Sequence, residues 1–397
     1  MKKNNLASWK TITPIIGDVL ISPWNLLIGG LLVSKLSFPY AFISIIAGYV
    51  ILSLVFYYYG GLGFQFRKRT SEIIEPVFGR VGTKLFFSII LAMGQIGWFA
   101  IVNQIGGESL AILVGIPSYI GILVYGAVMV IMATLNLHKL AIVKSMIVVS
   151  SVGFLVYLIA INRADFNLAR LADLSYNKET ILWGISIVVA SLMSFSSVSP
   201  DFMSSLKTRK DVLLTILTGL FLPGVLISTL GAALFLGKPL VLNAIIGVSL
   251  LAGFGHWFNV ITNTDAAVAI YTPGYRLSYA FGWPFKISVL VAAALGSLFS
   301  LLNIRSQLEI WLSVIAGIYP SLVGVTVAHY CLRFFRRKTI KYSKTNWRSV
   351  IIILFSSMLI FVINISLLNW VVGLTSFVLY IAMTGVTIKI YIGSNNK

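Results

Sequence analysis

The sequence predicts an all-α integral membrane protein of twelve transmembrane helices, the first ten forming two five-helix repeats inserted in opposite senses and the last two appended. Three observations carry that expectation. Runs of about 20 apolar residues, each long enough to cross a bilayer core, recur along a chain of 397 residues that is 58% hydrophobic and 10% charged. Basic residues crowd into alternate loops between those runs. Two runs are interrupted at mid-length by residues that do not belong in a lipid-facing helix.

The charge asymmetry fixes the orientation. With the N-terminus inside and one crossing per run, Lys2, Lys3, Lys10, Arg67, Lys68, Arg69, Arg80, Lys207, Arg209, Lys210 and the basic stretch 333–348 fall inside. Lys35, Arg163, Arg170, Lys178, Lys238 and Arg305 fall outside, and Lys144 falls within the membrane. This is the bias expected of cytoplasmic loops, and it places both termini in the cytoplasm of a plasma-membrane protein. The net charge of +19 thus orients the chain and meets anionic lipid head groups, and it implies no nucleic-acid partner.

Taken in order, segment 1 covers 12–33, and a short outer turn leads to segment 2, which ends near residue 62. The inner linker R-K-R-T-S-E-I-I-E-P-V-F-G-R-V-G has the periodicity of a short interfacial helix. Segments 3, 4 and 5 cover about 84–113, 119–135 and 140–161, with Lys144 one turn inside the last of these. The outer loop 162–179 is the most polar external stretch and is expected to pack as a partial lid. Segments 6, 7 and 8 follow at about 181–202, 212–236 and 244–271, and segments 9 and 10 at about 286–302 and 310–332. After the basic linker, segments 11 and 12 (350–367 and 371–392) carry few polar residues and look peripheral. The chain reads as one transporter domain: repeats at 12–162 and 181–332, and two peripheral helices within 350–392.

The interruptions point to a binding site. Residues 18–30, D-V-L-I-S-P-W-N-L-L-I-G-G, lie inside segment 1, and residues 191–201, S-L-M-S-F-S-S-V-S-P-D, lie inside segment 6. Backbone freed by a breaker at membrane depth survives only where it faces protein, a cavity or a ligand. Breaks at the first span of each half, with five spans per half, imply inverted repeats whose substrate and ion sites lie between the broken helices.

An ordered set of motifs adds to this reading: Q-x-G-W-F (Gln95, Gly97, Trp98, Phe99), S-P-D-F after the segment 6 break, N-x-x-T-N-T-D from Asn259, I-Y-P-x-x-x-G in segment 10 and N-W before segment 11. The set resembles the nucleobase:cation symporter family of cytosine permeases and hydantoin transporters, over nearly the whole chain. The resemblance implies a leucine-transporter type of fold with substrate held between segments 1, 3, 6 and 8. By the same resemblance, Trp98 matches the stacking aromatic, Gln95 a polar substrate contact, and Asn259 the amide that reads the base edge. Thr262 and Asn263 match two hydroxyl residues of the family's sodium site, completed by segment 1 carbonyls near Asp18 and Ile21. Departures fall at Asp18 (a small residue in the family), Asn263 (a hydroxyl), Pro23 (a serine), Leu192 (an aromatic) and His329 (an acid), and they leave the substrate and the coupling ion open.

The residue chemistry agrees. A planar heterocycle needs an apolar face to stack on and amides to pair with its edge, which Trp98 and Gln95, three residues apart on one helical face, can supply. Asn259, Trp24 and Asn25 can complete the pocket, and Phe195, three residues after Leu192, can replace the missing aromatic. A packing role is the plainer alternative for both tryptophans. Asp18, Lys144 and Asp265 are ionisable groups at membrane depth and hence functional candidates. Asp18 beside the segment 1 carbonyls and Thr262 would make a strong sodium site; Asp18 paired with Lys144 would instead fill that site and favour proton coupling. The plainer alternatives are a snorkelling Lys144 and an Asp18 satisfied by N–H groups at the break. Asp265 reads as structural, a cap or a partner of Arg276. His138, His256 and His329 read as satisfied polar residues, Asp201 as fixing the inner half of segment 6, and Cys331 as a buried small residue.

No phosphate-binding loop, nucleophile elbow or zinc pattern is present, no cleavable signal peptide is evident, and nothing argues for an enzyme or a bound cofactor other than sodium. The expected function is cation-coupled import of a nucleobase or related heterocycle by a protein that works as a monomer. A proton-coupled permease for an amino acid or small amine is the alternative within the class. A channel or a receptor is the alternative outside it, without the ring of like residues or the soluble domain each would need.

Overall fold

The computed structural model describes residues 6–161, 171–175, 177–236, 254–336, 346–347 and 349–354. Most of the loop 162–179 and nearly all of segments 11 and 12 therefore lie outside the described residues, as does the expected start of segment 8. The described residues of segments 1 to 10 are helical apart from short breaks, and faces turned away from the bundle carry exposed Leu54, Leu123, Val149, Val156, Leu226 and Leu290. Large apolar side chains spread round the whole circumference are what a lipid solvent requires. The helices Phe38–Phe66, Arg80–Val114, His138–Tyr157 and Arg209–Phe235 are each long and apolar enough to span a membrane. The chain is a multi-pass membrane protein.

Segment 1 breaks where its sequence places Ser22 and Pro23. Helix Trp9–Leu20 meets helix Pro23–Val33 at 49°. Pro23 has no N–H to donate and starts the second half, behind an extended Ser22. Segment 6 divides the same way, into Ile181–Ser196 and Ser199–Met203, with Pro200 in the first turn of the second piece. Segment 8 carries a third irregularity that the sequence reading did not foresee, a 3₁₀ turn at Asn263–Asp265 between helices Gly255–Thr262 and Ala266–Phe281. Wide π turns interrupt segments 2, 3 and 7 at Phe56–Gly60, Thr83–Phe87 and Ile216–Phe221.

The packing has the symmetry of an inverted repeat. The second half of segment 1 packs on segment 7, and the first half of segment 6 packs on segment 2. Segment 3 packs on segments 4 and 9 as segment 8 packs on segments 9 and 4. Exchanging 1 with 6, 2 with 7, 3 with 8 and 4 with 9 maps each set of neighbours onto the other, which is the relation two like-folded halves impose.

On the basic-loop face, segment 7 starts with a reciprocal cap. The Asp211 N–H donates to Thr208 Oγ1 at 3.1 Å, and the Thr208 N–H donates to Asp211 Oδ2 at 3.0 Å. Asp211 Oδ1 also accepts from the Trp9 N–H at 3.0 Å, tying the start of segment 1 to this turn. Partial burial pushes the Asp211 carboxyl up, but bonds from Thr208 and Trp9 outweigh it and hold the group below its ordinary range. Its stabilisation is present above the unfolded carboxyl range and lost as pH falls through the lower folded value. Thr208→Ala is expected to cost about 1 kcal/mol in denaturant unfolding at neutral pH, and less once the pH falls below the folded value.

Candidate substrate and cation site

A cavity of about 490 Å³ opens between the break in segment 1 and segments 3, 6 and 8. Its wall includes Val19, Ser22 and Trp24; Gln95, Trp98 and Val102; Leu192 and Phe195; and Asp265, Val268 and Ala269. The indoles of Trp24 and Trp98 meet edge to face, 5.0 Å between centroids and 69° between planes. Across that pair lies a second cavity of about 350 Å³, lined by Pro23, Leu27, Ile101, Asn259 and Asn263 among others. The tryptophan pair is thus a partition in a longer space.

Three buried polar atoms of the first cavity's lining residues lack hydrogen-bond partners among the described residues: Trp24 Nε1, Gln95 Nε2 and Asp265 Oδ1. Buried polar groups are nearly always satisfied, so donors and an acceptor left open beside one cavity mark where a ligand would bind. Phe195 lines the cavity and leans on Phe56 and Phe202, both at 5.7 Å. Phe202 in turn stacks on Tyr271 at 6.3 Å, extending the aromatic series away from the cavity.

The structure places the remaining candidate residues as follows. Asn25 is not in either cavity wall. It donates through Nδ2 to the Val19 carbonyl at 3.0 Å, a group freed by the break, and accepts from the Tyr49 hydroxyl at 3.0 Å. Ile21 ends the first half-helix, donating its N–H to Gly17 at 2.9 Å. Pro23 and Asn259 line the second cavity, not the first, and Asn259 Nδ2 donates to Ser109 Oγ at 3.0 Å. Asp265 does not pair with Arg276, whose Nη2 donates to Asp201 at 2.9 Å; it faces the cavity instead. Asp265 is the residue whose place in the site sequence reasoning missed, although its membrane depth was the available signal. His256 Nδ1 lies 3.4 Å from Ser109 Oγ.

Beside the cavity Lys144 reaches Asp18. Both side chains are buried, 0% and 2% exposed, and Nζ donates to Asp18 Oδ2 and, at 2.6 Å, to the Thr264 carbonyl. The Thr264 hydroxyl lies 3.0 Å from the Ile261 carbonyl and 3.4 Å from Asp18 Oδ1. Segments 1, 5 and 8 are therefore pinned at one point. Thr262 donates to the Phe258 carbonyl at 2.6 Å and Asn263 Nδ2 to the Asn259 carbonyl at 2.7 Å, each bond staying within segment 8.

Broken first helices in each half, an inverted-repeat core and a cavity at the breaks define the architecture of a secondary transporter. The comparisons agree. No family model matches the chain. It is 23% identical over 342 residues to the cytosine permeases of Escherichia coli O157:H7 and strain K12, covering 81% of this chain and 78% of theirs. Among solved structures, it superimposes on Mhp1, a nucleobase-cation-symport-1 family transporter, in a closed conformation with bromovinylhydantoin bound, with a TM-score of 0.82 at 17% identity over 98% of this chain and 94% of that one. The inward-facing conformation of Mhp1 gives 0.77 at 16% identity with the same coverage. A Na+-coupled sialic acid symporter in a substrate-bound outward-open state gives 0.71 at 15% identity over 96% and 90% of the two chains. The fold is the one these transporters share, and these relatives are transporters, not enzymes.

Proposed function

We propose that the protein is a secondary active transporter that imports a small planar nucleobase-like heterocycle across the plasma membrane, coupled to a cation, by alternating access. The observation that carries this reading is the first cavity with its open polar atoms. Trp98 and Trp24 offer indole faces and edges, with Leu192, Val102 and Phe195 completing the apolar surround. Gln95 Nε2 and Trp24 Nε1 ask for two acceptors, and Asp265 Oδ1 asks for a donor. An aminopyrimidine such as cytosine has a ring nitrogen and a carbonyl that accept and an exocyclic amine that donates, which matches that complement. The name carried by the Escherichia coli relatives supports the same substrate class.

The repeats 12–162 and 181–332 would move against each other around the cavity, with the two peripheral helices within 350–392 outside that exchange. The basic loops would face the cytoplasm with both termini, next to anionic lipids, and one chain would suffice for transport. Sodium is the coupling ion of one fold relative, and a proton is the other candidate for this chain. The carboxylate of Asp265 also favours a second reading, a permease for an amino acid or another small amine.

The test is thermal stabilisation of purified protein by a panel of cytosine, uracil, hypoxanthine, allantoin, a hydantoin, thiamine and several amino acids. A ligand at 100 times its Kd stabilises the native state by about 2.7 kcal/mol. Cytosine is expected to stabilise more than uracil, whose matching edge lacks the amine. Trp98→Ala is expected to weaken binding by about 1–3 kcal/mol, the usual worth of stacking a base on an aromatic side chain. Silence from every heterocycle, with a response to an amino acid, would replace this reading with the second.

A further inference from the structure

We propose that the ammonium of Lys144 is itself the resident cation of the site at the segment 1 break, so that the protein neither binds nor needs sodium there. The inference deepens the transporter reading and rests on it for its meaning, while its test uses no transported ligand.

A sodium site needs oxygen atoms that are free to coordinate. The carboxylate that would anchor such a site is Asp18, and Lys144 Nζ already donates to its Oδ2. The backbone oxygen that the 3₁₀ turn of segment 8 presents at this point, that of Thr264, accepts from the same Nζ at 2.6 Å. Asp18 Oδ1 lies 3.4 Å from the Thr264 hydroxyl, which has the Ile261 carbonyl nearer at 3.0 Å. Thr262 and Asn263, the residues that a sodium site of the related type would use, spend their donors on carbonyls of their own helix, which leaves their oxygens without a second cation-binding carboxylate or carbonyl to act with. The Asp18 carboxylate and the Thr264 carbonyl are engaged by an ammonium that is 0% exposed. An added sodium ion would sit within a few ångström of that charge. At an effective protein dielectric the repulsion lowers sodium affinity on the order of a thousandfold. The residues present do not fit a resident sodium ion, although they form a good cation site.

A tethered cation does structurally what a bound ion would do. It joins the broken span to segments 5 and 8, and it cannot leave by diffusion. The other ionisable group in this region is Asp265, which is within electrostatic reach of both members of the pair and lies on the cavity side. With Lys144 neutralising Asp18, Asp265 is left to serve the transported ligand.

The experiment is thermal unfolding of the full chain in detergent, in sodium chloride and in choline chloride at equal ionic strength, with no heterocycle present. The wild type is expected to unfold at the same temperature in both salts. Lys144→Ala frees the Asp18 carboxylate and the Thr264 carbonyl, and is expected to gain a sodium-specific rise in Tm of about 2 °C or more. Lys144→Ala combined with Asp18→Asn removes both charges and is expected to fold and to ignore sodium. A saturable, sodium-specific rise in the wild type overturns the proposal, and so does a folded Lys144→Ala protein that ignores sodium. Should Lys144→Ala fail to fold, the wild-type arm decides alone: equal Tm in the two salts supports the proposal, and a sodium-specific rise overturns it. Loss of heterocycle binding in the panel would remove the substrate reading and leave these outcomes intact.

Discussion

Asp201→Ala is expected to destabilise the protein by about 3–5 kcal/mol, the cost of leaving a buried charge without its partner. Asp201 Oδ2 accepts from Arg276 Nη2 at 2.9 Å, and Oδ1 accepts from the Thr70 N–H at 2.8 Å, with the paired side chains 1% and 2% exposed. Arg276 Nε and Nη1 have no partners among the described residues, so Asp201 is the group that compensates this guanidinium. Three elements meet there: the short second piece of segment 6, the linker helix Thr70–Phe78 and segment 8. Denaturant unfolding in detergent measures the loss. Asp201→Leu combined with Arg276→Met should recover most of it, because replacing both charges with apolar groups leaves neither stranded. A single variant within 1 kcal/mol of wild type would show that the pair is not holding this face.

The same face carries other ties. Arg67 Nη1 donates to the carbonyls of Ser204, at 3.2 Å, and Leu206. Ala7 pairs with Leu206, its N–H donating to the Ser205 carbonyl at 2.7 Å and its carbonyl accepting from the Lys207 N–H at 3.0 Å.

The sequence disclosed the breaks because proline and serine act locally: Pro23 and Pro200 each start a half-helix wherever the chain runs. Asp18 and Lys144 stood out because charge at membrane depth is costly, and the fold brings them together. Asp265 was misplaced for a geometric reason. A 3₁₀ turn advances about 120° per residue against about 100° in an α-helix, so three residues of it turn the side chain by about 60° from where an α-helical count puts it. That rotation sets Asp265 at the cavity wall, and the turn presents the Thr264 carbonyl to Lys144. Backbone acceptors leave no mark in a sequence. Asn25's bond to the Val19 carbonyl was not legible, because a short amide one turn past a break is as suited to that carbonyl as to a ligand. Arg276 was given the wrong carboxylate because its actual partner lies 75 residues away, a choice that tertiary packing makes.

Gly231→Val is expected to be among the most damaging substitutions, although it removes no hydrogen bond. Membrane helices gain no hydrophobic stabilisation from association in lipid and depend on close backbone approach between small residues. Here the second half of segment 1 lies directly on segment 7: a Cβ at Gly231 would meet the Leu26 carbonyl oxygen well inside contact distance and the Leu26 Cα at 2.6 Å. From the other side, a Cβ at Gly29 would collide with the Ser228 carbonyl and lie 2.9 Å from its carbon. In both cases the obstruction is backbone, which cannot swing away as a side chain could. Valine must therefore push the helices apart, at a cost of about 3 kcal/mol, the upper end of ordinary overpacking. The separation would also pull on the Tyr49 hydroxyl, which bridges Asn25 in segment 1, at 3.0 Å, and Ser228 in segment 7, at 3.2 Å. Because Asn25 satisfies the Val19 carbonyl exposed by the break, a shift there reaches the cavity wall at Val19 and Trp24. Gly231→Val should thus lower both Tm and heterocycle affinity. Gly61→Ala, where a Cβ meets nothing within 4 Å, should leave both unchanged. Equal behaviour of the two variants would mean that the helix contact is looser than the structure has it.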